Sequence, residues 1–235
     1  MAYYDRISRQ WHQATGFRGG AFKELALNEV LLRKIPGIHD RAILELGAGN
    51  GYLMPLILRR FSGQTPSVVF VTDISSKQLE IAQTHFRIPS AQYQLLDVRR
   101  PFSFANDSID LILAMMILNE VQNKDLRQAI AECRRILSPE GLLLIAVTHP
   151  KFVSGLQRRG LLRHTGGTLT MPGAGNLRLP VVVRSVEIYR DIFDESGFKY
   201  EEEEVYATNE VINVKSGLRK VGNAPLALMW RCARK

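Results

Sequence analysis

From position 42 onward, short apolar runs alternate with stretches whose apolar residues recur every three or four positions. Runs of the first kind predict buried strands, and stretches of the second kind predict amphipathic helices. The predicted strands cover residues 42–46, 67–72, 93–96, 109–115, 142–147, 200–206 and 226–233. Helices are predicted over 52–61, after Ser75, over 124–137 and after Ser185 as far as Gly197.

The helix over 124–137 has the clearest pattern. Its apolar residues fall at i, i+3, i+4, i+7, i+10 and i+11, which places them on one face. Pro139 and Gly141 predict the end of this helix, before the strand that starts at position 142. Ser75 and Gln78 have the spacing of a capping box, in which each side chain bonds a backbone amide of the other residue.

Alternating strands and helices predict an α/β fold, a doubly wound sheet that is mostly parallel and covered on both faces. The last two strands have no helix between them, so one of them is expected to run antiparallel. Residues 1–41 are expected to form a helical leader before the first strand.

Composition and hydropathy limit the class of protein. The chain has 235 residues, of which 46% are hydrophobic and 23% charged, which is ordinary for a folded domain. No apolar stretch approaches the roughly 20 residues of a membrane span, and no apolar signal core begins the chain. Cys133 and Cys232 make no disulfide framework, and Cys133 lies on an apolar helical face. We therefore expect a cytoplasmic protein with reduced thiols and no membrane partner.

The net charge of +8 is unevenly distributed. Residues 151–184 contain six basic residues, no acid and six of the eighteen glycines. A basic, glycine-rich segment within a fold predicts a functional loop or lid rather than a surface that coats nucleic acid. Within it, Gly166-Gly167 and Gly173-Ala174-Gly175 predict hinges or tight turns around residues 168–171, and residues 179–183 predict a strand that could pair in a hairpin. We expect one domain made of the leader (1–41), a core (42–150), an inserted lid (151–184) and a final part (185–235) with a helix and two strands.

The first predicted strand leads into a glycine loop, Gly47-Ala48-Gly49-Asn50-Gly51, that is preceded by Glu45. A dinucleotide fingerprint needs another glycine at position 52, which is Tyr52. A P-loop needs a lysine after the loop, and none occurs before Lys77. The loop is therefore G-x-G-x-G after an acid, a pattern that lets a backbone approach a ligand closely.

Two further acids follow the next strands. Asp73 ends the second strand, 22 residues after Gly51, where a carboxylate can accept both hydroxyls of a ribose. Asp97 follows the third strand, where it can accept a hydrogen bond from the exocyclic amine of adenine. Either acid alone is typical of a turn or helix cap, but their occurrence after consecutive strands favours a nucleoside site.

With these motifs the sequence resembles the class I S-adenosylmethionine-dependent methyltransferases. The resemblance covers residues 42–150, and the strand 110–114 and the segment 137–141 also carry it. It implies a Rossmann-like methyltransferase fold with seven strands, the last inserted antiparallel, and S-adenosylmethionine as cofactor, with S-adenosylhomocysteine as product. The cofactor-binding positions that it implies are Tyr4, Trp11, Glu45, Gly47, Gly49, Gly51, Asp73, Ile74, Asp97, Val98, Ala114 and Met115.

The acceptor is less defined by the sequence. The Asn/Asp-Pro-Pro-Tyr motif of many methyltransferases that act on bases is absent after the fourth strand, where Met115 to Leu118 stand. His149, just past the fifth strand, and Glu120, after the fourth, are candidate general bases. Arg184 and His149 are candidate substrate contacts. No Cys or His cluster has metal-ligand spacing, so we expect no metal.

These features predict methyl transfer to O or N of a small, anionic metabolite. Two alternatives stay open at this stage: a tRNA or other nucleic-acid methyltransferase, and a non-catalytic partner protein that binds the cofactor. An NAD-dependent oxidoreductase is disfavoured by Tyr52. The sequence does not indicate an oligomeric state.

Overall fold

The structure, a computed structural model, describes residues 3–86, 88, 91–165, 167–174, 176–209 and 224–235. Within these ranges the chain forms a seven-stranded sheet flanked by helices and a separate three-stranded sheet. The strands are β1 (Ala42–Leu46), β2 (Val68–Asp73), β3 (Ala91–Leu95), β4 (Ile109–Met115), β5 (Leu137–Thr148), β6 (Arg163–Thr165), β7 (Thr168–Pro172), β8 (Arg178–Pro180), β9 (Phe198–Val205) and β10 (Ala227–Arg234). The α-helices are α1 (Tyr3–Thr15), α2 (Asn28–Lys34), α3 (Leu53–Arg60), α4 (Ser76–His85), α5 (Asn123–Ile136), α6 (Pro150–Arg158) and α7 (Val186–Glu195).

The larger sheet has the strand order β3-β2-β1-β4-β5-β10-β9. Strands β1 to β5 pair in parallel, whereas β10 is inserted antiparallel between β5 and β9. The prediction of a mostly parallel, doubly wound sheet is confirmed. The chain runs outward from β1 to β3 and then returns to β4, so the switch in strand order lies between β1 and β4. Ligands of such sheets bind beyond the carboxyl ends of the strands at this point.

Both faces of the sheet are buried, which explains why its strands read as continuous apolar runs. Successive residues point to opposite faces, so Ile43 and Leu44 belong to two different core clusters. The cluster of Ile43 includes residues of α2 and α3, and that of Leu44 includes residues of α5 and α7.

Two local predictions need correction. The helix end predicted from Pro139 and Gly141 comes slightly earlier, because α5 ends at Ile136 and β5 begins at Leu137, directly after it. Leu137 pairs with Ile109, and a shift of register follows before the regular pairing resumes. Such an irregularity at the start of a strand is a position where a sheet tolerates proline.

The capping box is only half formed. The Ser75 side chain accepts a hydrogen bond from the Gln78 amide at 3.2 Å, as predicted. The Ser75 amide donates instead to Asp73 Oδ1 at 2.9 Å, and the buried Gln78 side-chain amide has no hydrogen-bond partner within the described residues. Asp73 thus accepts the hydrogen bond of the Ser75 amide, which the capping-box pattern assigned to the Gln78 side chain.

The leader and the basic segment both contain regular structure. The leader is helical, as predicted, and a π-helical turn over Lys23–Leu27 leads into α2. The basic segment forms α6 and the small sheet, in which β7 pairs antiparallel with β6 and β8. Helix α6 was not predicted, and the strand expected to begin at Leu179 is Arg178–Pro180.

One glycine of the basic segment has the conformation that a tight turn requires. Gly167 adopts a φ of 80°, which suits the tight turn predicted between β6 and β7. Gly166 and Gly175, two of the other predicted turn positions, lie outside the described residues. Movement of this segment as a lid stays a prediction.

In the part of the chain that the structure describes, no helix is both long enough and apolar enough to cross a membrane. Cys133 and Cys232 are buried and free, and both belong to the cluster between the sheet and helices α5 and α7. Burial raises the pKa of both thiols well above its usual value.

Candidate active site

A cavity of about 570 Å³ lies beyond the carboxyl ends of β1, β2 and β4, at the switch in strand order. This volume is within the range of sites for small ligands. Its walls combine the loop after β1, the ends of β2 and β4, the residues after β3, helix α1 and strands β7 and β8. The residues through which these elements line the cavity include Tyr3, Tyr4, Trp11, Lys23, Gly47, Gly49, Asp73, Ile74, Asp97, Val98, Arg99, Met115, Glu120, Thr148, Met171 and Leu179.

The glycine loop needs glycine at two positions because of two different neighbours. Gly47 lines the cavity with a φ of 65°, and a Cβ there would lie 2.8 Å from Ile117 Cγ1. Gly51 has a φ of 77°, and its Cβ would lie 2.5 Å from the Cβ of Ala82 in α4. Gly47 therefore lets the loop pack against Ile117 in the segment after β4, whereas Gly51 lets it pack against α4.

Asp73 is the buried carboxylate beside this loop. Its Oδ2 accepts from the Gly49 amide at 2.8 Å, and its Oδ1 accepts from the Ser75 amide at 2.9 Å. Burial raises the pKa of Asp73, while these backbone amides oppose the rise by stabilising the carboxylate. An ionised carboxylate can accept about four hydrogen bonds, so Asp73 keeps acceptor capacity toward the cavity.

Asp97 lines the cavity and is also engaged with a neighbour. Its two oxygens accept from Nε and Nη2 of Arg99, both at 2.8 Å, in a forked ion pair. These bonds hold the pKa of Asp97 below its usual value. Asp97 is thus an ionised acceptor held in place, with remaining lone pairs available to a ligand.

Helix α1 covers the cavity and is tied to three other elements by consecutive residues. The Tyr3 hydroxyl donates to the carbonyl of Arg178 in β8. The Tyr4 hydroxyl donates to Glu120, and Asp5 accepts from the Ser75 hydroxyl at 2.6 Å. These contacts orient the leader over the strand ends.

Farther along α1, the Trp11 indole approaches the glycine loop. A Cβ added to Gly49 would lie 3.7 Å from its Nε1. The ring also makes an edge contact with Tyr4, with centroids 6.0 Å apart. Aromatic rings thus form part of the roof of the cavity, where they can contact a cation by their faces.

Glu120 is the carboxylate of the cavity lining whose pKa best suits a general base. Burial raises the pKa of Glu120 to about 8; Asp73 adds to the rise, whereas Tyr4 and Lys23 oppose it. A carboxylate with a pKa near neutrality accepts a proton more readily than an exposed one does. Both Glu120 and its hydrogen-bond donor Tyr4 line the cavity.

Most predicted cofactor positions line the cavity, but three do not. Glu45 is buried, and its Oε2 has no hydrogen-bond partner among the described residues. Gly51 contacts α4, and Ala114 is fully buried in the core. These three residues lie outside the lining, where they can support it from behind.

His149 is not brought into the lining. Its Nδ1 accepts from the Lys151 amide at 3.0 Å, which caps α6, and its Nε2 lies 3.1 Å from Oε1 of Glu204. The ring is only 1% exposed, and burial lowers the pKa of His149. The structure therefore corrects the expected position: the histidine follows β5 but turns toward β9, and its neighbour Thr148 lines the cavity instead.

Arg184 also lies outside the lining, contrary to the expected substrate contact. Its guanidinium is buried and donates to the carbonyls of Leu118, at 3.2 Å, and Val121. It also lies 5.2 Å from the ring centroid of Tyr189. Arg184 thus holds the segment after β4, which contains Glu120, in place from behind.

Among the residues that sequence reasoning missed, Lys23 has the most chemical significance. It lines the cavity from the π-helical turn of the leader. The sequence carried no clear signal, since Lys23 and Glu24 between Phe22 and Leu25 have the spacing of polar positions on an amphipathic helix. The π-helical turn, which changes the face on which each residue lies, could not be read from the sequence.

Comparison with protein families gives a match over residues 43–141, to the family described as a methyltransferase domain. The matched stretch contains the glycine loop, Asp73 and Asp97. The resemblance predicted from these motifs is thereby confirmed over the same part of the chain.

Individual relatives extend this match. The chain is 28% identical over 164 residues to a highly reducing polyketide synthase, resH, of Aspergillus sclerotiorum, an alignment that covers 66% of the chain and 6% of the synthase. It is 29% identical over 113 residues to the tRNA N(3)-methylcytidine methyltransferase Mettl2 of Drosophila melanogaster, covering 46% of the chain and 34% of that protein. The chain thus corresponds to a small part of the length of these relatives.

Among solved structures, the chain resembles an S-adenosylmethionine-dependent methyltransferase from Mesorhizobium loti. The TM-score is 0.69 at 21% identity, covering 92% of this chain and 99% of the other. At this identity the likeness concerns the fold, which the two chains share over nearly their whole lengths.

Proposed function

We propose that this chain is a class I S-adenosylmethionine-dependent methyltransferase that transfers a methyl group to O or N of a small acceptor. The single observation that carries the proposal is the shared edge of the sheet. The glycine loop, Asp73 and Glu120 follow different strands, yet all three contribute to the walls of one cavity. A nucleoside-binding part and a candidate general base therefore meet where the fold binds ligands.

The lining fits the cofactor of this family. Asp73 would accept the ribose hydroxyls, and Ile74, Asp97 and Val98 would surround the adenine. Gly47 and Gly49 line the part of the cavity where the methionine part would lie. Bound there, S-adenosylmethionine supplies an activated methyl group on a sulfonium, and Tyr4, Trp11 and Met115 are the residues that would lie nearest to it.

The protein then contributes orientation and proton removal. Holding acceptor and methyl group in line contributes several kcal/mol to the rate. Glu120 would accept the proton of a hydroxyl or protonated amine, a contribution of about 10²- to 10⁴-fold. Tyr4 orients this carboxylate through its hydrogen bond.

The acceptor is proposed to be small because the leader and the small sheet both contribute walls to the cavity. Tyr3 and Tyr4 of α1 and Met171 and Leu179 of the small sheet all line it. An anionic acceptor, as predicted from the basic segment, has weaker support. Within the described lining the cationic side chains are Lys23 and Arg99, and neither comes from residues 151–184.

A tRNA acceptor is the second candidate, favoured by the match to a tRNA methyltransferase. Arg158, Arg159 and Arg163, which form no ion pair among the described residues, would then contact phosphates, and binding would weaken steeply with added salt. The proposed setting is the cytoplasm, because the buried free thiols of Cys133 and Cys232 suit a reducing environment.

The test is a labelled-methyl transfer assay with the purified protein, in which pooled metabolites and total tRNA are separate acceptors. We expect transfer to a metabolite pool and none to tRNA. Thermal stabilisation by S-adenosylhomocysteine, with none by NAD, is expected to accompany it. Stabilisation by NAD alone would contradict the proposal, and transfer to tRNA alone would establish the second candidate.

A further inference from the structure

Lys23 brings a cation to the wall of the cavity. Its ammonium lies 5.3 Å from the ring centroid of Tyr52, the residue that follows the glycine loop. Within the described residues, Lys23 Nζ has neither a hydrogen-bond acceptor nor an ion-pair partner. A cation so placed favours the binding of an anion, because three donors and a charge have lost part of their water.

The surroundings keep this lysine charged at neutral pH without pairing with it. Burial lowers the pKa of Lys23 to about 8, while the carboxyl groups of Glu45 and Glu120 oppose this change from a distance. Neither carboxyl group is within 4 Å of the ammonium, so neither occupies its donors. Lys23 is therefore available to a ligand.

The other cation of the lining is already occupied. Arg99 forms the forked ion pair with Asp97, at the end of the cavity that follows β3. Arg178, which belongs to the basic segment, directs its guanidinium to the Thr170 and Leu161 carbonyls of that segment. Among the described lining residues, Lys23 is thus the unpartnered cation, and it lies beside the glycine loop.

The distribution of charge along the cavity also favours one orientation of the cofactor. Asp73 and Asp97 make the nucleoside end of the cavity acidic, so a carboxylate would be repelled there. We infer that the ammonium of Lys23 binds the α-carboxylate at the methionine end of S-adenosylmethionine, beside the glycine loop. This inference rests on the proposed function and deepens it by naming the residue that recognises the amino-acid part of the cofactor.

The experiment compares three adenosine thioethers by isothermal titration calorimetry at pH 7. They are S-adenosylhomocysteine, its analogue without the carboxylate, S-adenosyl-3-thiopropylamine, and 5′-methylthioadenosine, which lacks the whole amino-acid part. The variants are Lys23→Met and Lys23→Arg. Lys124→Met is the matched control, because it removes the same charge from an exposed position on α5.

We expect the unchanged protein and Lys124→Met to bind S-adenosylhomocysteine at least tenfold more tightly than S-adenosyl-3-thiopropylamine. Lys23→Met should lose this preference, because only its affinity for S-adenosylhomocysteine should fall. Lys23→Arg should keep part of the preference. At pH 9, above the pKa of Lys23 at about 8, the preference of the unchanged protein should fall. Unchanged affinity for 5′-methylthioadenosine in Lys23→Met would show that the variant is folded.

Two results would overturn the inference. One is that Lys23→Met still binds S-adenosylhomocysteine more tightly than S-adenosyl-3-thiopropylamine, as the unchanged protein does. The other is unchanged affinity of that variant for S-adenosylhomocysteine together with a raised KM for the acceptor, which would assign Lys23 to the acceptor instead. Failure of the proposed function is distinguishable, because the unchanged protein would then bind none of the three thioethers.

Discussion

The Tyr4 hydroxyl donates a 2.5 Å hydrogen bond to Oε1 of Glu120, which joins α1 to the segment after β4 across 116 positions of the chain. The preceding residue, Tyr3, bonds the small sheet, and the next, Asp5, bonds Ser75 beside Asp73. Three consecutive residues thus connect the roof of the cavity to its candidate base, its small sheet and its nucleoside end. The following predictions test what this arrangement does.

Glu120→Gln should lower kcat by about 10²-fold or more with little change in affinity for S-adenosylhomocysteine, because it removes the proton acceptor and keeps the shape. In the unchanged protein the rate should rise with pH up to about 8, since the base acts when deprotonated and the pKa of Glu120 is about 8. Initial rates from pH 6 to 9 measure both effects. Glu29→Gln, on the exposed side of the leader, is the control. A rate that is independent of pH in the unchanged protein would contradict the role of Glu120.

Tyr4→Phe should move the rising limb of that pH profile to higher pH by about one unit. The tyrosine hydroxyl stabilises the ionised carboxylate, so its loss raises the pKa of Glu120 further. Above the limb the rate should approach that of the unchanged protein. Tyr3→Phe is the matched control, because it removes a hydroxyl that bonds the Arg178 carbonyl instead. Equal shifts in both variants would indicate a general effect of α1 rather than the hydrogen bond.

Asp73→Asn should abolish most of the thermal stabilisation by S-adenosylhomocysteine. A ligand at 100 times its Kd stabilises by about 2.7 kcal/mol, which raises Tm by roughly 5 to 10 °C for a chain of this size. The control is Asp110→Asn at the opposite end of the sheet. Its carboxylate also accepts a backbone amide, that of Ala42, at 2.9 Å. Differential scanning fluorimetry should show lower stability in both variants but retention of the ligand shift in Asp110→Asn alone.

His149→Ala should affect stability more than turnover. It removes the cap of α6 and the contact with Glu204, which together contribute about 1 to 3 kcal/mol. Because the ring lies outside the cavity lining, kcat should fall less than tenfold. Urea denaturation and initial rates measure the two quantities. A loss of kcat near 10²-fold at unchanged stability would instead support the role predicted from its position after β5.

The sequence by itself determined the sheet and the nucleoside end of the cavity. Apolar periodicity, the glycine loop and the acids after β2 and β3 are local features, each contained within a short stretch of chain. The carboxyl ends of parallel strands share one edge, so Asp73 and Asp97 had to come near the glycine loop once the alternation of elements was recognised.

The tertiary structure alone decided which side chains line the cavity away from its nucleoside end. Lys23 reaches the cavity because the leader folds back over the strand ends and its π-helical turn sets the direction of the side chain. His149 and Arg184 follow elements that border the cavity, yet they turn away from it. Glu204 of β9 engages the histidine, and the carbonyls of the segment after β4 engage the arginine. Their partners are distant in the chain, and the direction of a side chain depends on such partners, which no local pattern contains.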